Sequence, residues 1–147
     1  SDIIQMAHYA QTVNVIGAIK TTRTTAEMET TGLVLQLYRA HYGQMPLRLE
    51  QDFAPCDVAA ALTKDGRTLT LAVMNPTDSE MEISPSLSGA TLAGQATRWH
   101  ITGPDQVAHN TPGQPRVVDI QRMDGLPTSS ALRVPPLSCA LFALPLK

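Results

Sequence analysis

A run of small and apolar residues at positions 13–19, VNVIGAI, constrains the fold of this chain more than any other stretch. Continuous apolar runs of this length are typical of strands that are buried on both faces of a parallel sheet. Such a strand needs parallel neighbours, but the residues that flank it are predicted to be helical. The run therefore predicts one strand of a parallel sheet whose other strands lie outside this region.

Residues 1–43 are predicted to form a helix, a strand and a second helix. Ser1 or Asp2 is a suitable N-cap for the first helix, and Thr24 or Thr25 for the second. Apolar positions recur at helical spacing in both helices: Ile3, Ile4, Met6, Ala7 and Ala10 in the first, and Leu33, Val34, Leu37, Tyr38 and His41 in the second. Gly43 is predicted to end the second helix. This order is typical of the end of a (β/α) barrel or of one edge of a doubly wound sheet.

Residues 44–147 show a different pattern, with short apolar or alternating runs separated by turn residues. Runs at 58–63 and 68–74 flank Asp65-Gly66, which predicts a hairpin. Further strands are predicted at EISPSLSG, at ATRWHIT, and at residues 117–121, 131–134 and 139–144. Seven or eight strands in about 100 residues indicate a β-sandwich or jelly roll. The fold class is therefore α+β, with a helix-strand-helix unit at 1–43 followed by an all-β sandwich at 44–147.

Composition excludes several kinds of function. The net charge of −2 leaves no basic surface for nucleic acid, and no apolar run reaches the roughly 18 residues that a membrane span needs. The first ten residues lack the basic and apolar regions of a signal peptide. The four histidines do not fall at metal-binding spacing, so we expect no metal and no cofactor. Cys56 and Cys139 are interpreted as buried free thiols, with a disulfide left open.

Two amide side chains, Gln11 and Asn14, lie at the entrance to the predicted buried strand. A buried amide costs free energy unless it is hydrogen-bonded. Each amide could therefore bond neighbouring backbone, or it could bind a polyol ligand at the carboxyl end of a barrel. Gln11 and Asn14 are the candidate substrate-binding residues.

The carboxylates offer no catalytic pair. Glu27 and Glu29 would point in different directions on a helix, and Glu80 and Glu82 would share one solvated face of a strand. The loop GPDQVAHNTPGQPRVV is interpreted as an inter-strand connection held by Asn110, together with Thr111.

Several stretches, in this order, resemble the C-terminal third of an α-L-arabinofuranosidase of glycoside hydrolase family 51. They are YAQTVNVIGAIKTT, ETTGLVLQLYRAHYG, LTLAVMNPTDSEMEI, the GPDQVAHNTPGQPRVV loop and LRVPPLSCALFAL. The first two resemble the end of the family's barrel, and the others resemble its appended sandwich. The ordered set is much more specific than any one of these motifs.

The resemblance implies the last helix-strand-helix of a (β/α)₈ barrel followed by a jelly-roll-like sandwich. It implies retaining release of terminal arabinofuranosyl groups from arabinan or arabinoxylan, by two glutamates about 5 Å apart. Those glutamates would lie on an earlier part of the barrel, outside this chain, so no catalytic residue is assigned here. The implied partners are that barrel polypeptide and an arabinose-containing glycan, in a cytoplasmic homo-oligomer. The family's residue in the −1 subsite matches Gln11, and Asn14 is a weaker match.

Two alternatives stay open. Relatives in the broader family act on xylosides or β-glucans, and no residue of this chain decides between these substrates. The chain could also be a stand-alone carbohydrate-binding or structural β-sandwich. Such binding modules usually display aromatic platforms, whereas the alternating strand around Trp99 predicts that its indole faces the core.

Overall fold

The computed structural model describes residues 4–147 and shows a β-sandwich that carries one helix within that range. The helix, α1, spans Thr30–His41. The strands are β1 Ile19–Thr21, β2 Ala26–Met28, β3 Met45–Leu47, β4 Asp57–Leu62, β5 Thr68–Asn75, β6 Met81–Ile83, β7 Gln95–Thr102, β8 Ile120–Pro127, β9 Leu132–Val134 and β10 Ser138–Pro145.

The main sheet has six antiparallel strands in the order β3-β4-β5-β10-β7-β8. Strand β10 lies at its centre, where Leu141 is opposite Ala72 on one side and Trp99 on the other. Two small antiparallel pairs, β1-β2 and β6-β9, complete the fold. The predicted β-sandwich is confirmed in this architecture.

The main sheet is covered on both faces, and β10 contributes to both cores. Alternate residues of a strand point to opposite faces. Ala140, Phe142 and Leu144 therefore join the core beneath β6 and β9, whereas Cys139 and Leu141 join the core beneath α1. This double burial explains why β10 has a nearly continuous apolar sequence.

Helix α1 begins later than the sequence predicts. Its N-cap is Glu29, whose carboxylate accepts from the Thr30 N–H at 3.0 Å, so the predicted caps Thr24 and Thr25 are wrong. The reason is that residues 26–28 pair with β1 as a strand. Leu33 and Leu37 are fully buried against the sheet, which confirms the predicted apolar stripe.

The predicted first elements are not present among the described residues. Residues 1–3 of the predicted first helix lie outside them, and residues 4–10 contain no helix. The predicted buried strand at 13–19 is also wrong. Val13 forms one isolated bridge to Ile19, while Val15 is 78% exposed and Ile16 is 64% exposed. The physical reason is that residues 4–147 place no parallel strand beside the run to take up its hydrogen bonds.

Most of the strands predicted within residues 44–147 are present in the structure. The hairpin of β4 and β5 is confirmed, with Gly66 at φ +68° in the turn and the Thr63 N–H bonded to the Thr68 carbonyl. The strands predicted at ATRWHIT, 131–134 and 139–144 correspond to β7, β9 and β10. The strand predicted at 117–121 is displaced to β8, because Asn110 holds the backbone of Val117 and Val118 in the preceding loop. Strand β6 covers only the start of EISPSLSG, and β3 is missed because it contains Pro46.

Gly43 directly follows the C-cap of α1, as predicted, but it is not among the glycines with positive φ. The C-cap is Tyr42, and Gly43 lies against the Leu62 carbonyl, where an added Cβ would come within 2.5 Å of the oxygen. Its N–H donates to the Thr70 hydroxyl at 2.9 Å. Close approach of two backbones therefore requires glycine here.

Helix α1 shares its core with the main sheet, through Leu33 and Leu37 against Ile101 and Leu141. The division of the chain at residues 43 and 44 stays a prediction. None of the described helices is long and apolar enough to cross a membrane.

Candidate functional site

The segment that carries both candidate amides lies on the surface, next to α1. Gln11 and Asn14 are exposed, and the segment folds back so that the Asn14 N–H donates to the Ile19 carbonyl at 2.8 Å. The Gln11 carbonyl accepts from the Ala18 N–H at 3.3 Å. The structure thus places the two residues in one turn ahead of β1.

Asn14 is used to hold this turn. Its Oδ1 accepts from the Thr21 N–H at 2.8 Å, and its Nδ2 donates to the Thr21 hydroxyl at 2.9 Å. Its φ of +58° lies in the left-handed region, which asparagine tolerates better than most residues. These contacts correspond to the interpretation in which the amide satisfies nearby polar groups. The Gln11 amide group has no such contact within residues 4–147.

Apolar side chains around this turn are unusually exposed. Met6 is 73% exposed, Val15 78% and Ile16 64%, and Ile4, Tyr9, Val13 and Leu35 of α1 are also exposed. Tyr9 is fixed among them, since its hydroxyl donates to the Ile16 carbonyl at 2.9 Å and lies 3.1 Å from the Thr31 hydroxyl. We call residues 4–16 the N-terminal apolar segment. Large exposed apolar surfaces are typical of interaction sites.

The loop between β7 and β8 is fastened to β2, the strand that precedes α1. Asn110 is only 2% exposed and its amide donates to the Met28 carbonyl at 3.2 Å and the Val118 carbonyl at 2.7 Å. Arg116 adds an ion pair to Glu27 at 2.8 Å. The predicted role of Asn110 is confirmed, whereas no side-chain bond of Thr111 is present in the described region. Sequence reasoning missed the Arg116–Glu27 pair, because nothing in local spacing relates residues 89 positions apart.

Glu27 and Glu29 have structural roles. Glu27 bonds its neighbouring Met28 N–H at 2.7 Å as well as Arg116, and Glu29 caps α1. Glu82 pairs with Arg133 at 3.2 Å on an exposed face, as its predicted solvation implies. Each of these three carboxylates is therefore engaged by a partner within residues 4–147.

Trp99 does not form an open aromatic platform. Its indole stacks on the His41 ring, with centroids 3.9 Å apart, and the Arg122 guanidinium lies 5.6 Å from the indole centroid. Burial, followed by the charge of Arg122, lowers the pKa of His41. The indole is half-buried and packs against the core beneath α1, which agrees with its predicted inward orientation.

An open groove of about 670 Å³ runs between the start of α1 and the adjoining end of the main sheet. Apolar side chains line much of this groove, among them Val34, Met74, Ile101 and Leu137. Asp57 and Asp105 also line it. Cys56 and Cys139 are both free and buried, and burial raises the pKa of each thiol. No group of three or more potential metal ligands occurs among residues 4–147.

The described fold is that of an all-β sandwich domain with a packed helix and an exposed apolar segment at one side. The chain belongs to the α-L-arabinofuranosidase C-terminal domain family, whose model matches residues 1–138. No curated protein matches the sequence at a significant level.

Solved structures of family 51 enzymes are similar to this chain. A crystal structure of an arabinofuranosidase is 26% identical with a TM-score of 0.82, over 98% of this chain and 34% of that one. The thermostable α-L-arabinofuranosidase of Thermotoga petrophila RKU-1 is 26% identical with a TM-score of 0.78, over 91% and 32%. The Thermotoga maritima α-L-arabinofuranosidase, in an arabinose complex, is 24% identical with a TM-score of 0.74 over 92% and 33%, a likeness of fold.

The chain thus spans about a third of the length of these enzymes. The predicted resemblance to the C-terminal portion of family 51 is confirmed. The chain is a member of a glycoside hydrolase family by this relationship.

Proposed function

We propose that this chain is the C-terminal part of a retaining glycoside hydrolase that releases terminal α-L-arabinofuranosyl groups from arabinan or arabinoxylan. The observation that carries the proposal is the family match over residues 1–138, in a chain that spans about a third of its structural relatives. The catalytic glutamates would then lie on another part of the enzyme.

The structural roles of Glu27 and Glu29 support the placement of the catalytic glutamates elsewhere in the enzyme. A retaining glycosidase needs two carboxylic side chains about 5 Å apart on either side of the scissile bond. In this chain Glu27 is engaged by Arg116 and Glu29 caps α1. The reacting pair is therefore sought outside this chain, on a catalytic (β/α)₈ barrel.

The N-terminal apolar segment supports a barrel partner. Residues 1–43 would complete that barrel, and residues 44–147 would form the sandwich attached to it. The exposure of Met6, Val15 and Ile16 leaves apolar surface that packing against further helices and strands would bury. In this arrangement the run at 13–19 would gain the neighbours that it lacks here.

Gln11 is the proposed contact to the sugar in the −1 subsite, with Asn14 as a weaker candidate. The Gln11 side chain is exposed and its amide group is not engaged by residues 4–147, so it is available to a ligand. The Asn14 amide is already bonded to Thr21, which favours a supporting role. We place the complete enzyme in the cytoplasm as a homo-oligomer.

Activity measurements test the proposal. The purified 147-residue chain should not hydrolyse p-nitrophenyl α-L-arabinofuranoside, whereas the polypeptide that also carries the barrel should. Parallel assays with the corresponding xyloside and β-glucoside address the choice of glycan. Turnover by the 147-residue chain would contradict the proposal that the catalytic glutamates lie outside it. A barrel-bearing polypeptide that is inactive on all three substrates would contradict the proposed glycoside hydrolase activity.

A retention assay addresses the carbohydrate-binding alternative. The same chain is passed over immobilised arabinan and xylan, with bovine serum albumin as the control protein. We expect no specific retention, because the Trp99 indole is stacked on His41. Specific retention by either glycan would favour a binding module instead.

A further inference from the structure

A second cavity lies far from α1, on the side of the main sheet that faces β9. Its volume is about 360 Å³, and it lies between the side chains of β7, β8 and β9. Met123, Leu126 and Leu132 give it apolar walls, and Ser130 contributes a hydroxyl. The size is within the range of small-molecule sites, which combine apolar walls with a few polar groups.

The polar group at this cavity is a buried arginine. Arg98 is only 8% exposed and lines the cavity. Within residues 4–147, its Nη1 donates to the Arg133 carbonyl at 2.8 Å, its Nη2 has only the Met123 sulfur at 3.9 Å, and its buried Nε has no partner. The guanidinium therefore has donors that the surrounding protein leaves unused.

The charge of Arg98 is only partly offset, because burial lowers its pKa more than the nearby Glu80 carboxylate raises it. None of the carboxylates within residues 4–147 forms an ion pair with it. Glu80 lines the cavity but lies 3.8 Å from Arg133, which pairs more closely with Glu82. A buried cation without an ion-pair partner is costly, and an anion that supplies the missing acceptors would offset that cost.

We propose that this cavity binds a small carboxylate. Arg98 donates hydrogen bonds to the carboxylate oxygens, and the apolar walls contact the ligand's carbon skeleton. Arginine suits this role because its planar fork of donors matches a carboxylate. The sequence signal is the alternation in QATRWHIT, which places Arg98 on the same face as buried Ala96. The site is independent of the proposed hydrolase activity.

Binding of cyclohexanecarboxylate to the 147-residue chain tests the site, with cyclohexylmethanol as the uncharged probe of similar size. Isothermal titration and methyl NMR of Met123 should detect the carboxylate and not the alcohol. Arg98→Met should weaken carboxylate binding by about tenfold or more, since it removes the buried charge. The matched control, Arg122→Met, removes an exposed arginine beside Trp99 and should leave binding unchanged.

A second variant tests carboxylate binding at this cavity even if Arg98→Met does not fold. Glu80→Gln removes a negative charge near the guanidinium and should tighten cyclohexanecarboxylate binding by about threefold. Unchanged or weaker binding in that variant would overturn the proposal. So would equal binding of cyclohexylmethanol, equal weakening by Arg122→Met, or no cyclohexanecarboxylate binding to the unmodified chain.

Discussion

The side chain of Asn110 bonds the Met28 carbonyl across 82 positions of sequence, at 3.2 Å. The same amide bonds Val118 through both its oxygen and its nitrogen, at 3.0 and 2.7 Å. One buried side chain thus fastens the β7–β8 loop to the strand that precedes α1.

Replacing Asn110 should therefore destabilise the chain. Asn110→Ala leaves the buried Val118 N–H and carbonyl without their partner, at a cost of about 2–3 kcal/mol. Urea unfolding followed by circular dichroism measures the change. Thr111→Ala, at the exposed neighbouring position, should stay within about 0.5 kcal/mol. Equal losses in the two variants would show that the bonds of Asn110 are unimportant.

Gly43→Ala should also lower the free energy of unfolding. The new methyl group would lie 2.5 Å from the Leu62 carbonyl oxygen, so the backbones must separate. We expect a loss of about 1–3 kcal/mol, the range for overpacking. Gly66→Asn is the control, because that turn has open space and asparagine tolerates its left-handed backbone. A stable Gly43→Ala chain would mean that the two backbones can move apart freely.

Acidification should weaken the fold through His100. Burial first, and then the charge of Arg98, lowers the pKa of His100 below its ordinary value of 6.5. A lowered pKa means that the unfolded chain binds the proton more readily, so this contribution is complete above pH 6.5 and is lost as the pH falls below it.

Urea unfolding at pH 7.5 and pH 5.5 measures that loss. His100→Gln should reduce the difference between the two pH values, whereas His109→Gln, at an exposed loop position, should preserve it. The lowered pKa of His41 acts with the same sign, so some dependence should remain. A His100→Gln chain with the original pH dependence would contradict the assignment.

In the complete enzyme, Gln11→Ala should reduce kcat/KM by an amount equivalent to about 1–3 kcal/mol of transition-state binding. The reason is that the exposed amide is proposed to bond the sugar in the −1 subsite. Steady-state kinetics on p-nitrophenyl α-L-arabinofuranoside measure the effect. Gln51→Ala, also exposed, should not change it. Unchanged kinetics for Gln11→Ala would remove that residue from the subsite.

The sandwich was more predictable than the segment before it because its signals are local. Asp65 and Gly66 specify a tight turn, and alternation identifies β7 from its own eight residues. The apolar run of β10 also indicates a strand buried on both faces, although its neighbours are antiparallel. A continuous apolar run reports double burial and does not reveal strand direction.

The same rule failed at positions 13–19, where residues 4–147 form only one isolated bridge to the run, from Val13 to Ile19. Val15 and Ile16 have the apolar character of a buried strand but lie exposed. The role of Gln11 stays a prediction for a related reason, since its side chain is exposed and its amide has no hydrogen bond within residues 4–147. Local sequence patterns likewise do not predict an ion pair between distant residues, such as Arg116 and Glu27.

The central position of β10 sets the order in which the sheet can be assembled during synthesis. Strands β5 and β7 are made first, but each keeps one unpaired edge until residues 138–145 emerge from the ribosome and insert between them. A nascent chain stalled before that point would expose two apolar strand edges at once, which are sites of aggregation. The sheet is therefore completed late, by a strand inserted into its middle.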